Sequence, residues 1–243
     1  MMREGIFIAV MFISTTLRAA FGFGNALLAM PILVLLYGLS TATPVIGISA
    51  VIIAGVILIR DYEHIQTGSI RRLVVSSAAG IPLGIALLRG KFESELTCML
   101  GIVLVSYGIF MYRMSELHSR VSLRASYIAG LIAGILGGAY NTNGPPIVIY
   151  AVLRGWNPRE FRATLQAYFL ATGLLVTAGH WASGLWTARV MNLCILSLFP
   201  VSLGLVIGTI LNRRFTSGTF HRYMTVILIV LGIIMIIQSI QRP

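Results

Sequence analysis

The sequence predicts an all-α integral membrane protein built as two inverted repeats, each a broken helical hairpin followed by three transmembrane helices. Three observations lead there. First, 57% of the 243 residues are apolar and only 10% are charged, with a mean hydropathy of +0.91. A soluble globular domain carries roughly 45 to 50% apolar and about 25% charged residues. Second, long apolar runs alternate with short polar gaps; at about 20 residues per span the chain holds about 8 to 10 membrane segments and no sizeable soluble domain. Third, two apolar segments are too long for one span, are broken midway by helix-ending residues, and head two halves with the same order of elements.

The first broken segment runs from Gly5 to Gly38 and is interrupted at Gly22, Gly24 and Asn25. Its start has the look of a signal peptide, with Arg3 ahead of an apolar stretch. Ser14, Thr15, Thr16 and Arg18 interrupt that stretch, and no small-residue cleavage site stands out, so it reads as the first membrane segment. Spans follow at Pro44 to Ile59, Leu73 to Leu88 and Leu96 to Tyr112. The second broken segment, Arg124 to Leu153, is interrupted from Gly137 through Pro146, and is followed by spans at Ala163 to Gly179, Val190 to Leu211 and Tyr223 to Ile240. This order sets the expected division: residues 1–118 as the first transmembrane repeat and 119–243 as the second, inverted one. Pro31 pairs with Pro146 at an offset of 115, His64 and Gly68 with His180 and Gly184 at 116, and Pro82 with Pro200 at 118. Duplicated halves with paired interruptions are a signature of secondary transporters.

The net charge of +11 comes from 18 cations against 7 acids. Suppose each broken segment enters and leaves on one side. Arg60, Arg71, Arg72, Arg113, Arg120, Arg124, Arg154, Arg159, Arg162, Arg213, Arg214 and Arg222 then share one face, and Arg3, Arg89, Lys91, Arg189 and Arg242 the other. By the positive-inside bias the first face is cytoplasmic, both termini lie outside, and the second half is inverted. A single crossing by each broken segment would put the loops at 113–124 and 154–162 on opposite sides and weaken the bias. Nucleic-acid binding is excluded, because it needs clustered cations interleaved with aromatics on a soluble face. Cys98 and Cys194 lie within apolar runs, where a thiol acts as a small hydrophobe. They offer no disulfide framework and no metal spacing, and no cofactor is expected.

One cation fits no loop. Arg18 lies within the first apolar segment, about 22 Å of helix beyond Arg3, where burying a guanidinium costs about 2.5 to 3.5 kcal/mol on insertion scales. Snorkelling to the interface is one reading; an anion ligand is the other. All seven acids (Glu4, Asp61, Glu63, Glu93, Glu95, Glu116, Glu160) lie in loops or near the start, so no span offers Arg18 a carboxylate. That pattern points to a negatively charged substrate and away from a buried carboxylate proton relay.

The strongest local signal is Gly137-Gly138-Ala139-Tyr140-Asn141-Thr142-Asn143-Gly144-Pro145-Pro146. Such backbone persists at membrane depth only where protein or a water-filled cavity satisfies it. The paired prolines suit the first turn of a helix, with Asn143 placed to cap it, and the N–H groups and positive dipole end of that helix make an anion site. Phe21-Gly22-Phe23-Gly24-Asn25 has the same role in the first half. The expected substrate-binding residues are Arg18 for charge, the helix ends at Gly22, Gly24 and Asn25 and at Asn143, Gly144 and Pro145 for the N–H groups and positive dipole ends of the helices that open there, and Tyr140, Asn141 and Thr142 for orientation. Gln166, Tyr168 and Asn192 are lesser candidates for the cavity wall. His64 and His180 read as interfacial, and Trp156, Trp181 and Trp186 as belt anchors. An intramembrane enzyme would need a nucleophile with a base; Ser49 and Ser106 lie at depth, but no Gly-x-Ser-x-Gly elbow, paired carboxylate or His-Glu-x-x-His motif accompanies them. No enzymatic activity is therefore expected.

At these residues the sequence resembles the TauE/SafE family of membrane anion transporters, also called the sulfite exporter or 4-toluenesulfonate uptake permease family. The resemblance covers nearly the whole chain. It rests on Gly22-Phe23-Gly24 with Pro31, on Gly137-Gly138 through Gly144-Pro145-Pro146, and on Gly155 with Phe161-Arg162-Ala163-Thr164. Many relatives carry a glycine triplet where this chain has Gly24-Asn25-Ala26 and Tyr140-Asn141-Thr142-Asn143. The resemblance implies secondary transport, without ATP hydrolysis, of sulfite, sulfoacetate or another organosulfonate, by alternating access around a midplane site. An anion channel shares the same residues. The expected partners are a small anionic substrate, the lipid bilayer and a coupling ion, proton or sodium. A homodimer is left open, as are the coupling ion and the direction of transport. The expected location is a bacterial inner (cytoplasmic) membrane.

Overall fold

A computed structural model describes residues 2–90, 93–113, 121–212 and 217–241, with side chains at 60, 61, 93, 217–224 and 241 left out. The 118/119 boundary and the side chains of Arg60, Lys91, Arg120, Arg213, Arg214, Arg222 and Arg242 thus lie outside the described residues. Among those described, every regular element is helical: α1 Met2–Phe21, α2 Asn25–Tyr37, α3 Leu39–Asp61, α4 Thr67–Arg89, α5 Glu93–Arg113, α6 Ala125–Tyr140, α7 Gly144–Leu153, α8 Pro158–Ala182, α9 Ala188–Asn212 and α10 Ser217–Gln241. A 3₁₀ turn, Tyr62–His64, links α3 to α4.

Five helices, α1, α3, α4, α5 and α9, are long and apolar enough to cross a membrane. The span predicted at Ala163 to Gly179 falls in α8, which is 25 residues long but is not among the five. Its start carries Arg159, Glu160 and Arg162, and one face buries Thr164, Gln166, Thr172 and His180. That polar stripe lowers its hydropathy and marks it as an interior helix. Asn157 caps it by accepting from the N–H groups of Arg159 and Glu160, while Glu160 Oε2 accepts from the Asn157 N–H at 3.0 Å, a complete capping box with Pro158 in the first turn.

Both broken segments are hairpins. The Tyr37 hydroxyl donates to Arg3 O, so α1 starts where α2 ends; the Val121 N–H donates to Leu153 O, so α6 starts where α7 ends. These open ends lie on opposite faces. Arg189, at the start of α9, stands over the Tyr37 ring at 5.4 Å. Gln66, after α3, bonds Thr164 and Glu160 at the start of α8, just past α7. We call the first the terminal face and the second the arginine-rich face. Three of their four helices are short, with 13 residues in α2, 16 in α6 and 10 in α7; α1 has 20, and the donation of Asn212 Nδ2 to Ala20 O carries its end most of the way to the arginine-rich face.

The helix pairings recur when α1–α5 are exchanged for α6–α10. α4 packs on α6 as α9 packs on α1; α4 meets α8 as α9 meets α3; α3 pairs with α8, and α5 with α10. Small residues make the tightest seams. Gly80 lies against Gly134, Gly84 against Gly138 and Gly130 against Leu73 and Ser76, and Gly204 and Gly208 against Thr15, Thr16 and Ala19, at distances where a Cβ on the glycines would overlap the facing backbone. This is how membrane helices maximise packing when lipid is as apolar as their own side chains. The sequence halves are consequently interleaved. One spatial body is α1, α2, α3 and α9; the other is α6, α7, α8 and α4; they meet along α3 and α8. Two of the predicted pairs are not at equivalent positions: Pro31 lies midway along α2 but Pro146 in the first turn of α7, and exposed His64 follows α3 whereas His180 is inside α8; Pro82 and Pro200 both lie within the corresponding helices α4 and α9.

Candidate functional site

Left-handed residues make both breaks. Gly22 (φ 88°) and Gly24 (φ 106°) turn the chain from α1 into α2, a conformation that strains any residue with a Cβ. At the end of α6 the left-handed residue is Asn141 (φ 52°), whose N–H donates to Gly137 O while that of Thr142 donates to Leu136 O. Asparagine takes the place of the usual glycine in this helix cap. The backbone path is kept and an amide is delivered to the break. Pro145 and Pro146 fill the first turn of α7, where their missing N–H groups cost nothing. Helices α2 and α7 both begin at the breaks with a positive dipole end there; Asn25, Ala26 and Leu27 carry the first-turn N–H groups of α2, and Gly144 alone carries one in α7.

The two breaks converge on one cavity. Arg18, Phe23, Gly24, Asn25 and Ala26 line it from the first, Asn141, Thr142, Asn143 and Gly144 from the second, with Ala50 of α3 and Phe169 and Gly173 of α8 between them. Phe169 and Gly173 are near the midpoint of α8, so the cavity lies deep between the two faces. It is small: the centre of a water molecule can occupy about 30 Å³ of it.

Arg18 is only 4% exposed, which removes the snorkelling reading. Its Nη2 donates to Gln166 Oε1 at 3.2 Å and its guanidinium carbon lies 4.9 Å from the Phe169 ring centre, while Nε has no partner. Asn141 Nδ2 and Asn25 Oδ1 are also buried without partners. Buried polar atoms are almost always satisfied, and a desolvated guanidinium costs several kcal/mol unless paired. Three such atoms around one cavity describe a site built for a polar guest. Its donors are a guanidinium, an amide and helix N-termini, the groups that bind oxyanions. Among the described residues no three His, Cys, Asp or Glu side chains cluster as metal ligands.

Of the sequence-predicted residues, Arg18, Gly24, Asn25, Asn141, Thr142, Asn143 and Gly144 line the cavity. Gln166 stands directly behind, accepting from Arg18 and donating its Nε2 to Gly22 O at 2.5 Å, so it ties the arginine to the first break. Gly22 itself lies against Arg162 and Gln166, one layer below. Tyr140 is buried but does not line the cavity, and Pro145 faces an apolar groove between α5, α6 and α7. The Asn143 side chain does not cap α7; its Nδ2 donates to Thr172 Oγ1 at 3.1 Å and so fixes the second break to α8. Tyr168 bonds Ser77 at 2.7 Å in the α4–α8 seam, Asn192 is exposed, and His180 is fully buried with Nε2 3.0 Å from Gly138 O rather than interfacial. Trp181 is exposed, as a belt anchor would be, and Trp156 packs edge-on to Tyr150. The Phe161-Arg162-Ala163-Thr164 run supports the first break: Phe161 meets Phe23 edge-on at 6.0 Å, Arg162 reaches Ala20 O at 3.5 Å, and Thr164 holds Gln66. Sequence reasoning missed Phe169, Ala50 and Gly173, which read there as ordinary apolar residues of spans.

Comparison with known proteins places this site in context. The family model described as "Sulfite exporter TauE/SafE" matches residues 6–235. A protein of Cupriavidus necator named "Probable sulfite/organosulfonate exporter TauE" is 24% identical over 186 residues, covering 73% of this chain and 71% of its own length. No solved structure matches.

Proposed function

The chain belongs to the sulfite exporter TauE/SafE family, and from that membership we propose that it is a secondary transporter carrying a small sulfur-containing anion, sulfite or an organosulfonate, across a bacterial inner membrane. The observation that carries the reading is Arg18: a buried cation with an unpartnered Nε, no carboxylate beside it among the described residues, and a cavity shared with two helix N-termini. The guanidinium supplies the charge, the Asn141 amide, the first-turn N–H groups of α2 and the Gly144 N–H at the start of α7 bind the oxyanion, and Gln166 orients Arg18 from behind.

The recurrent pairings and opposed hairpins support duplication and inversion of the halves 1–118 and 119–243. Alternating access then moves two interleaved bodies rather than two sequence halves, because the tight α4–α6 and α1–α9 seams each join one half to the other. The bodies pivot along α3 and α8, exposing the midplane site to each face in turn. A proton or sodium gradient drives the cycle. The arginine-rich face is cytoplasmic and both termini are outside, by the charge bias of the loops.

Uptake of ³⁵S-labelled sulfite into proteoliposomes tests this. Saturable uptake that responds to an imposed proton or sodium gradient, and that is lost in Arg18→Ala, is the expected result. Sulfite currents indifferent to either gradient would instead make the protein a channel.

A further inference from the structure

The ring of Phe169 lies against ligand-binding groups of both bodies. Its face lies 4.9 Å beneath the Arg18 guanidinium, and its Cζ lies 3.7 Å from where a Cβ on Gly144 would stand, at the N-terminus of α7. The ring packs edge-on to Tyr168 at 5.8 Å, and Tyr168 is itself held by Ser77. It is thereby braced from behind and fills the gap between the cation and the second helix terminus. The space that remains, about 30 Å³ for the centre of a water molecule, corresponds to a sphere roughly 6.6 Å across once the radius of water is added. That holds an SO₃ head with a hydrogen or a methyl group. It does not hold an aromatic sulfonate.

We propose that Phe169 is the specificity-determining residue of the site, restricting the substrate to sulfite-sized sulfur oxyanions and short-chain sulfonates, and that shortening its side chain admits bulky organosulfonates. The inference rests on the reading of this cavity as the anion site. A Cβ on Gly144 would meet the ring at an ordinary contact distance, and a Cβ on Gly173 would press on Val51 of α3 at 2.9 Å.

Competition against ³⁵S-sulfite uptake in proteoliposomes tests the proposal, with methanesulfonate and 4-toluenesulfonate as competitors. For the wild-type protein methanesulfonate competes and 4-toluenesulfonate is weaker by at least about 10-fold, the ordinary penalty for forcing extra volume into a packed site. In Phe169→Ala that ratio falls about 10-fold or more, and in the better-packed Phe169→Leu by less. The ratio is taken within each variant, so it does not depend on how much protein folds. Equal competition by both sulfonates in the wild type, or an unchanged ratio in both variants, overturns the proposal. Arg18→Gln separates the two levels. If it leaves sulfite uptake intact, the cavity is not the site and both readings fall; if it abolishes uptake while the Phe169 variants keep the wild-type ratio, only the role of Phe169 falls.

Discussion

Replacing Arg18 with glutamine distinguishes an arginine kept for a ligand from one kept for the fold, because the two roles differ in what the empty protein loses. The variant forfeits the bond to Gln166 Oε1 and the contact with Phe169, worth about 1.5 to 3 kcal/mol for a charge-assisted bond and about 0.5 to 2 kcal/mol for a cation–π contact. Against this, it no longer holds a desolvated guanidinium with an unpartnered Nε, a cost of several kcal/mol. The terms nearly cancel, so the empty protein changes stability by no more than about 2 kcal/mol. Binding behaves differently. Two charge-assisted bonds from Arg18 to an oxyanion amount to about 3 to 6 kcal/mol, so the variant loses roughly 100-fold to 10⁴-fold in affinity. The assay is thermal unfolding of the purified protein with and without sulfite. At 100 times Kd the ligand stabilises the wild type by about 2.7 kcal/mol, raising Tm by roughly 5 to 10 °C for a chain of this size. The variant should unfold near the wild-type temperature and shift by no more than about 1 to 2 °C at the same sulfite concentration. A variant that shifts with sulfite as far as the wild type does, or one destabilised by the roughly 3 to 5 kcal/mol typical of breaking a buried ion pair, would refute the reasoning.

Three further outcomes follow from the geometry. Asn141→Gly keeps the left-handed cap at φ 52° and removes only the amide, so sulfite affinity drops by about 1 to 3 kcal/mol with stability unchanged; Asn141→Ala adds about 1 to 2 kcal/mol of strain, and thermal shift separates the two. Gly84→Ala drives a Cβ into the α6 backbone and destabilises the fold by about 1 to 3 kcal/mol, whereas Gly68→Ala, with open space around it on the same helix, leaves the melting temperature where it was. Gly22→Ala and Gly155→Ala incur similar left-handed strain, but only Gly22 abuts Gln166 and Arg162. Sulfite flux therefore falls sharply in the first and little in the second.

How much of this was legible in the chain varies with the physical signal. The breaks at Gly22–Asn25 and Asn141–Pro146 were readable because left-handed turns and first-turn prolines demand particular residue types. Arg18 was readable because no other cation is stranded in an apolar run. The partner of each helix was not. Gly80, Gly84, Gly130 and Gly134 advertise close packing without saying against what, so the exchange of α4 and α9 between the bodies emerges only in three dimensions. Phe169 was invisible for a related reason: an aromatic in an apolar span has the same pattern whether it fills a core or walls a cavity. Asn143 misled through a local rule, since tertiary contact with Thr172 draws its side chain away from the cap.

The central claim is that a sulfur oxyanion sits between the two breaks, against Arg18. Selenite, the heavier analogue of sulfite, makes this directly observable by anomalous diffraction from crystals soaked in it. The account predicts a selenium peak in the cavity between Arg18, Asn141 and Gly144, absent from Arg18→Gln crystals. Strong selenium density elsewhere in the protein, with none in that cavity, would contradict it.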